Sequence, residues 1–247
     1  MHNTIDLNCD MGEGMMQDAE LMQHISSANI ACGYHAGDED TMKKTIELAI
    51  ENKVAIGAHL GFPDKEYFGR RIMPISTMEI YDIVTSQIES IKKIADCFKI
   101  KLHHVKPHGA LYNLGAKDRS IAHAIARAVK DADPTLILYG LSGSFLVSEA
   151  QTIGLMTASE VFADRTYQDD GTLTPRADAN ALIDTEEKCI SQVLQMIGEH
   201  TVTSVHNVCM PIVAQTICLH SDGKNAVAFA KKIVEALKQQ QIEITVP

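Results

Sequence analysis

Short apolar runs alternate along the chain with longer stretches in which apolar residues recur at helical spacing. The short runs cover residues 5–9, 29–32, 54–58, 102–105, 136–139, 155–158 and 217–219. Brief apolar runs bounded by polar residues and glycines are typical of strands that are buried on both faces. The pattern therefore predicts six or seven strands of a parallel sheet.

Five amphipathic stretches lie between these runs, with apolar stripes within residues 42–50, 81–98, 121–129, 190–197 and 227–237. Ser76 and Glu79 form a capping box ahead of the second stretch, and Asp118 is a candidate N-cap for the third. Strand–helix alternation predicts βαβ units, and residues 1–247 suit a single domain built as a distorted or incomplete (β/α) barrel. An open doubly wound sheet is the alternative. The barrel is favoured because polar clusters follow nearly every strand.

Composition and charge narrow the classes of function. The formal net charge is −10, which argues against a nucleic-acid partner because such binding needs Lys and Arg to neutralise phosphates. No apolar run approaches the length of a membrane span, and the first residues show neither the basic nor the apolar region of a signal peptide. The six cysteines are scattered without a CxxC pair and are expected to be reduced. We therefore expect a cytoplasmic protein without a membrane segment.

Polar residues at the first strand are the first candidates for chemistry. Asp6, Asn8 and Asp10 alternate along the strand and share one face, and Glu13 follows between two glycines. One of these residues could simply cap a turn. Carboxylates are seldom buried together without a purpose, so a functional role is favoured.

Histidines follow four of the apolar runs within a few residues: His35, His59, His108 and His220. Catalytic and binding groups of (β/α) folds gather at the carboxyl ends of the strands, which would bring these side chains together. Four histidines with carboxylates could hold a divalent metal, or they could form a metal-free acid/base site. The sequence leaves that choice open.

Lys106 shares a strand face with His104 and His108, where a lysine is costly unless it is paired or used. Further charged residues follow other strands: Arg70, Glu160, Asp164 and Arg165. Arginine and lysine in such a place suit an anionic substrate or a phosphate. The chain has no GxxxxGK[ST] motif, so no P-loop supports nucleotide binding.

Five ordered motifs resemble the LamB/YcsF family of 5-oxoprolinase A subunits. They are DLNCDMGE (6–13), SANIACGYHAGD (27–38), GAH (57–59), HVKPHGALYN (104–113) and EVFADR (160–165). The resemblance implies a distorted barrel like that of glycoside hydrolases and polysaccharide deacetylases. It also implies ATP-dependent opening of 5-oxoproline to L-glutamate, with ADP and phosphate released, in a complex with the B and C subunits.

On this hypothesis ATP, with Mg²⁺, is the co-substrate. Lys106, with Arg70 or Arg165, handles phosphate or the substrate carboxylate, and Asp10, Glu13 or His108 is the acid/base group. The other candidates would bind substrate or phosphate: Asp6, Asn8, His35, His59, Glu160, Asp164 and His220. Two alternatives remain: a metal-dependent deacetylase or amidohydrolase on a small or carbohydrate substrate, and a non-catalytic substrate-binding protein.

Overall fold

A computed structural model describes residues 4–223 and 225–247. Residues 1–3, part of the segment searched for a signal peptide, and Lys224 lie outside that description. In chain order the elements are β1 (Thr4–Met11), α1 (Asp18–Leu21), β2 (Ser27–Ala31), α2 (Glu39–Asn52), β3 (Ala55–Leu60), α3 (Thr77–Cys97), β4 (His104–Pro107), α4 (Gly109–Lys117), α5 (Arg119–Ala132), β5 (Ile137–Leu141), α6 (Phe145–Thr152), β6 (Met156–Phe162), α7 (Glu186–Gly198), β7 (Thr201–Thr203), β8 (Cys209–Pro211), β9 (Thr216–Leu219), α8 (Ala226–Gln239) and β10 (Glu243–Ile244).

Seven of the strands form a closed parallel barrel in the order β1-β2-β3-β4-β5-β6-β9. β9 pairs with β6, where Phe162 lies opposite Cys218, and also with β1, where Cys9 lies opposite Leu219. The second pairing closes the sheet and leaves no edge between β9 and β1. The predicted distorted (β/α) barrel is confirmed, with seven strands where the standard barrel has eight, and its closure excludes the open doubly wound sheet.

The barrel interior is polar, whereas most parallel barrels are filled with branched apolar side chains. Asn8 donates to Glu160 Oε1 (3.0 Å) and to Thr216 Oγ1 (2.6 Å), and Asn29 donates to Asn8 Oδ1 (2.7 Å). All four side chains are fully buried. Each of these side chains finds at least one partner inside the barrel, which offsets part of the cost of burying it, while Glu160 Oε2 has no hydrogen-bond partner among the described residues.

All five predicted amphipathic stretches are helices, namely α2, α3, α5, α7 and α8. The capping box of α3 is present, since Glu79 N donates to Ser76 Oγ and Ser76 N donates to Glu79 Oε2. The nine residues of α4 were not predicted, because a helix this short and largely buried shows little periodicity. Across residues 4–223 and 225–247, no helix has the length and hydropathy required to span a bilayer.

Gly57 gives the ring of His104 its space inside the barrel. A methyl group at position 57 would lie 2.1 Å from His104 Nε2, and that ring is fixed by stacking on Tyr139 (4.1 Å) and by a hydrogen bond to Asn29 Oδ1 (2.7 Å). We expect Gly57→Ala to lower the free energy of unfolding by about 1–3 kcal/mol in denaturant titrations. Gly198→Ala is the control, because its methyl group would meet no atom within 4 Å. An equal loss in both variants would contradict the prediction.

Candidate active site

A cavity of about 500 Å³ opens at the carboxyl ends of the barrel strands. Its volume suits a small molecule, and this end of the barrel is where ligands of such folds bind. The ionisable residues around it are Asp10, Glu13, His59, Arg70, Lys106, His108, Tyr112, Lys117, Arg165, Arg176, His220 and Asp222. Most of the side chains predicted from the strand ends therefore meet around one cavity.

Lys106 lies at the floor of this cavity with its ammonium group already paired. Nζ lies 2.9 Å from Asp10 Oδ1, 2.9 Å from Glu160 Oε1 and 3.0 Å from Cys218 Sγ. Although burial lowers the pKa of Lys106, Asp10, Cys218 and Glu160 outweigh burial and hold it well above its usual value. The charged lysine thus fixes two carboxylates inside the barrel.

Asp10 is one of three carboxylates that line the cavity, with Glu13 and Asp222. Oδ1 accepts from Lys106 and from Asn29 Nδ2 (2.8 Å), while Oδ2 lies 3.3 Å from His59 Nε2 and 4.0 Å from His220 Nε2. Burial raises the pKa of Asp10, but His59 and Lys106 counteract burial and hold it well below its usual range. Asp10 is therefore an ionised group on the cavity floor.

Four side chains beside Asp10, which we call the histidine cluster, converge within 4.8 Å of one another: Glu13, His35, His59 and His108. Glu13 Oε1 lies 2.9 Å from His35 Nε2, 3.3 Å from His108 Nδ1 and 3.7 Å from His59 Nε2. Burial, with Asp10 and Asp222 nearby, raises the pKa of Glu13 well above its usual value. Burial also lowers the pKa of His35 and His108 well below that of a free histidine.

Two groups in the described residues have the composition of a metal site. One is the histidine cluster, and the other is Asp10 with Cys218 and His220. The Lys106 ammonium group already contacts Asp10 and Cys218 in the second group. Imidazole and carboxylate ligands suit divalent transition metals, so the histidine cluster is the group that could hold one.

His220 is oriented by Asp164 at the end of the neighbouring strand. Asp164 Oδ1 lies 3.0 Å from His220 Nδ1, and Asp164 Oδ2 accepts from the His220 backbone N–H at 3.0 Å. The carboxylate places the proton of the ring on Nδ1, which leaves the Nε2 lone pair facing the cavity. Burial raises the pKa of Asp164, but His220 and Arg176 outweigh it, so Asp164 stays ionised.

The rim of the cavity carries an excess of positive charge. Arg70 Nη2 and Arg176 Nη1 both contact Asp222 Oδ2, at 2.8 and 3.0 Å. Two guanidinium groups share one carboxylate, so a further anion would be bound favourably there. The neighbouring Arg165 is used differently, since it donates to the carbonyls of Thr174 (2.6 Å) and Ala181 (3.3 Å) and so holds segment 166–181 over the cavity.

The remaining predicted site residues lie outside the cavity lining. Asp6 lies deeper in the barrel, where it accepts from Ser27 Oγ (2.7 Å) and Thr216 Oγ1 (2.6 Å). Asn8 and Glu160 lie beneath Lys106, while His35 and Asp164 lie behind residues that face the cavity. Asp6, Asn8 and Glu160 belong to the hydrogen-bond network inside the barrel, whereas His35 contacts Glu13 and Asp164 contacts His220.

Ionisable residues of the lining that were missed as site candidates include Tyr112, Arg176 and Asp222, and Cys218, which contacts Lys106, was missed as well. In the sequence, Cys218 and Tyr112 stand among apolar residues and look like ordinary core residues. Both side chains are buried in the structure. Arg176 belongs to the long segment between β6 and α7, whose path the sequence does not fix. Only Asp222, three residues after β9, carried the strand-end signal that could have identified it.

Comparisons with known proteins agree with this geometry. The model for the LamB/YcsF family matches residues 5–247. The chain is 51% identical to the 5-oxoprolinase A subunit of Tolumonas auensis, over 97% of this chain and 98% of that protein. The lactam utilization protein of Thermus thermophilus has 38% identity and a TM-score of 0.92, with 99% and 100% covered. A family 4 carbohydrate esterase of Streptomyces lividans shares the fold alone, at 12% identity and a TM-score of 0.51, with 98% and 91% covered.

Proposed function

The chain belongs to the LamB/YcsF family, and from that membership we propose that it hydrolyses 5-oxoproline to L-glutamate as one component of an ATP-dependent enzyme with three kinds of subunit. The observation that carries the proposal is the 51% identity, over nearly the whole of both chains, to a protein named as the A subunit of 5-oxoprolinase. A cavity of about 500 Å³ with ionised groups and arginines suits a small lactam that carries a carboxylate.

ATP answers a chemical difficulty of this reaction. A lactam carbonyl is a poor electrophile because the nitrogen donates its lone pair to the carbonyl group. Phosphorylation of the lactam oxygen makes the carbonyl carbon electrophilic enough for water to attack it, after which the C–N bond breaks. A second water then releases phosphate and leaves glutamate. Such a sequence requires cations for the phosphate and a base for the water.

His220 is the base in this proposal. Its Nε2 lone pair faces the cavity because Asp164 holds the proton on Nδ1. The ring takes a proton from the attacking water and returns it to the leaving nitrogen. Ionised Asp10, whose Oδ2 lies 4.0 Å from Nε2, stabilises the imidazolium ion that forms between these steps.

Arg70 and Arg176 bind the anionic groups, either the carboxylate of 5-oxoproline or the transferred phosphate. Asp222 neutralises only one of these two positive charges. This proposal gives Lys106 a different role from the one expected from the sequence, because its ammonium group is enclosed by Asp10 and Glu160. We propose that Lys106 positions Asp10 and does not bind phosphate itself.

The proposal is tested by reconstitution. The purified chain is mixed with the B and C subunits from the same organism, 5-oxoproline, ATP and Mg²⁺, and glutamate and ADP are measured. We expect both products in equal amounts in the complete mixture, and none when ATP or this chain is omitted.

Failure of the complete mixture to form glutamate would refute the proposal. Cleavage of amides or esters by this chain without ATP would favour a deacetylase or amidohydrolase instead. Unchanged glutamate formation after the site residues are replaced would indicate a protein that only binds substrate.

A further inference from the structure

We propose that Glu13, His35, His59 and His108 bind one divalent transition-metal ion of the zinc class. The proposal stands on the geometry of these four side chains and is independent of the reaction. Only the use of the ion, to polarise the lactam oxygen or a water molecule, rests on the proposed function.

The distances between the candidate ligand atoms match those of a small coordination sphere. Zinc–nitrogen bonds of about 2.0–2.1 Å in a tetrahedron place neighbouring ligand atoms roughly 3.3 Å apart. Glu13 Oε1 lies 2.9 Å from His35 Nε2, 3.3 Å from His108 Nδ1 and 3.7 Å from His59 Nε2. His59 Nε2 lies 2.9 Å from His108 Nδ1. All four ligand atoms lie within 4.8 Å of one another, and the His35 and His108 rings are stacked with their centroids 3.9 Å apart, so one ion would reach all four atoms once these rings turn toward it.

In two of the rings, contact with a backbone carbonyl fixes which nitrogen atom carries hydrogen. His59 Nδ1 lies 3.0 Å from the carbonyl oxygen of Lys106, and His108 Nε2 lies 2.9 Å from that of Phe68. A carbonyl oxygen only accepts, so each of these nitrogens is the protonated one in a neutral ring. Backbone carbonyls commonly orient metal-binding histidines in this way.

The other nitrogen atom of each of these two rings then carries a lone pair, and the two lone pairs point toward each other. His59 Nε2 and His108 Nδ1 face each other at 2.9 Å, with the Glu13 carboxylate beside both. Neutral rings in these tautomers cannot form a hydrogen bond to each other. The arrangement needs a positive charge at its centre, either a metal ion or an additional proton.

No Lys or Arg in residues 4–223 and 225–247 forms an ion pair with Glu13, whose ion-pair partners are the three histidines. The Asp10–Cys218–His220 group nearby differs, because Lys106 Nζ lies 2.9 Å from Asp10 Oδ1 and so supplies a cation there. Three imidazoles and one carboxylate are ligands for zinc, iron, cobalt or nickel rather than for Mg²⁺. Glu13, His59 and His108 also line the cavity, so a bound ion would face its contents.

The test measures metal binding without any turnover. The full-length protein is dialysed against a chelator, titrated with ZnCl₂ by calorimetry, and titrated with CoCl₂ by visible absorption. We expect one ion per chain and the d–d bands of Co²⁺ with nitrogen and oxygen ligands. Glu13→Gln and His108→Asn should each weaken Zn²⁺ binding by more than about 100-fold, because even outer-shell changes cost about 10–100-fold.

His123→Asn is the matched control, since His123 also contacts a carboxylate, that of Glu149, but lies on the surface. It should bind Zn²⁺ as the wild type does. Circular dichroism shows whether each variant is folded. If a variant does not fold, the number of ions bound by the wild-type protein still tests the proposal. Wild-type protein that takes up neither ion at one per chain, or folded variants that bind unchanged, would overturn the proposal. Loss of binding in a variant that still forms glutamate would limit the ion to a structural role.

Discussion

Replacing Lys106 with methionine is expected to lower the free energy of unfolding by about 3–5 kcal/mol. The ammonium group lies 2.9 Å from both Asp10 Oδ1 and Glu160 Oε1, and all three side chains are at least 96% buried. Methionine has a similar length and no charge, so the two carboxylates would remain buried without their cation. Removing one partner of a buried ion pair leaves an uncompensated charge in a medium of low polarity.

Chemical denaturation monitored by circular dichroism measures this loss. Lys231→Met is the control, because Lys231 pairs with Glu20 at the surface and should leave the free energy of unfolding nearly unchanged. The double variant Lys106→Met/Glu160→Gln should recover part of the lost stability, since it removes one of the stranded charges. Equal losses in the single and double variants would show that the packing of Lys106, and not its charge, stabilises the barrel.

Under the proposed function, replacing Asp10 with asparagine is expected to reduce glutamate formation by a factor of about 10²–10⁴, because it weakens the acid–base step of His220. Asparagine keeps the size of the side chain but removes the charge that we propose stabilises the His220 imidazolium ion. Because the loss concerns the transition state, kcat should fall more than KM rises. Steady-state glutamate release by the complete mixture with the B and C subunits measures both.

Asp6→Asn is the matched control for this variant. Asp6 shares the β1 face of Asp10 but contacts Ser27 and Thr216 below the cavity. Its replacement should reduce stability while glutamate formation stays within a few fold of the wild type, provided that the assay temperature is well below the melting temperature. A fall as large as that of Asp10→Asn would mean that the interior polar network, and not the cavity floor, controls turnover.

The strands of the barrel were largely predictable because their outward faces pack against helices and are apolar. Each of the seven apolar runs overlaps one barrel strand. The apolar runs do not predict where the strands end. In β6 the strand continues through Ser159 and Glu160, after the apolar run has stopped. The polar barrel interior conceals these last residues from a search for apolar runs.

The candidate site was predictable as a group but not in its details. Strand-end position brought Asp10, His59, His108 and His220 together correctly, because parallel strands end at the same rim. Alternation along β1 predicts which side chains point into the barrel but not how far each lies from the cavity. The sequence therefore could not show that Asp10 lines the cavity while Asp6 lies below it. The sequence also could not show that Asp10 and Glu160 already neutralise the charge of Lys106, because these ion pairs form across the barrel.

The pairing that closes the barrel also determines when the chain can fold. Asp6 and Thr216, which bond across the β1–β9 seam, are separated by 210 residues. Contacts so distant in sequence slow folding, because the intervening chain must be ordered first. During synthesis β1 and β6 therefore keep exposed edges until residue 219 has left the ribosome. Those two edges are the places where nascent copies would pair with each other, so successful production depends on how quickly the last barrel strand arrives.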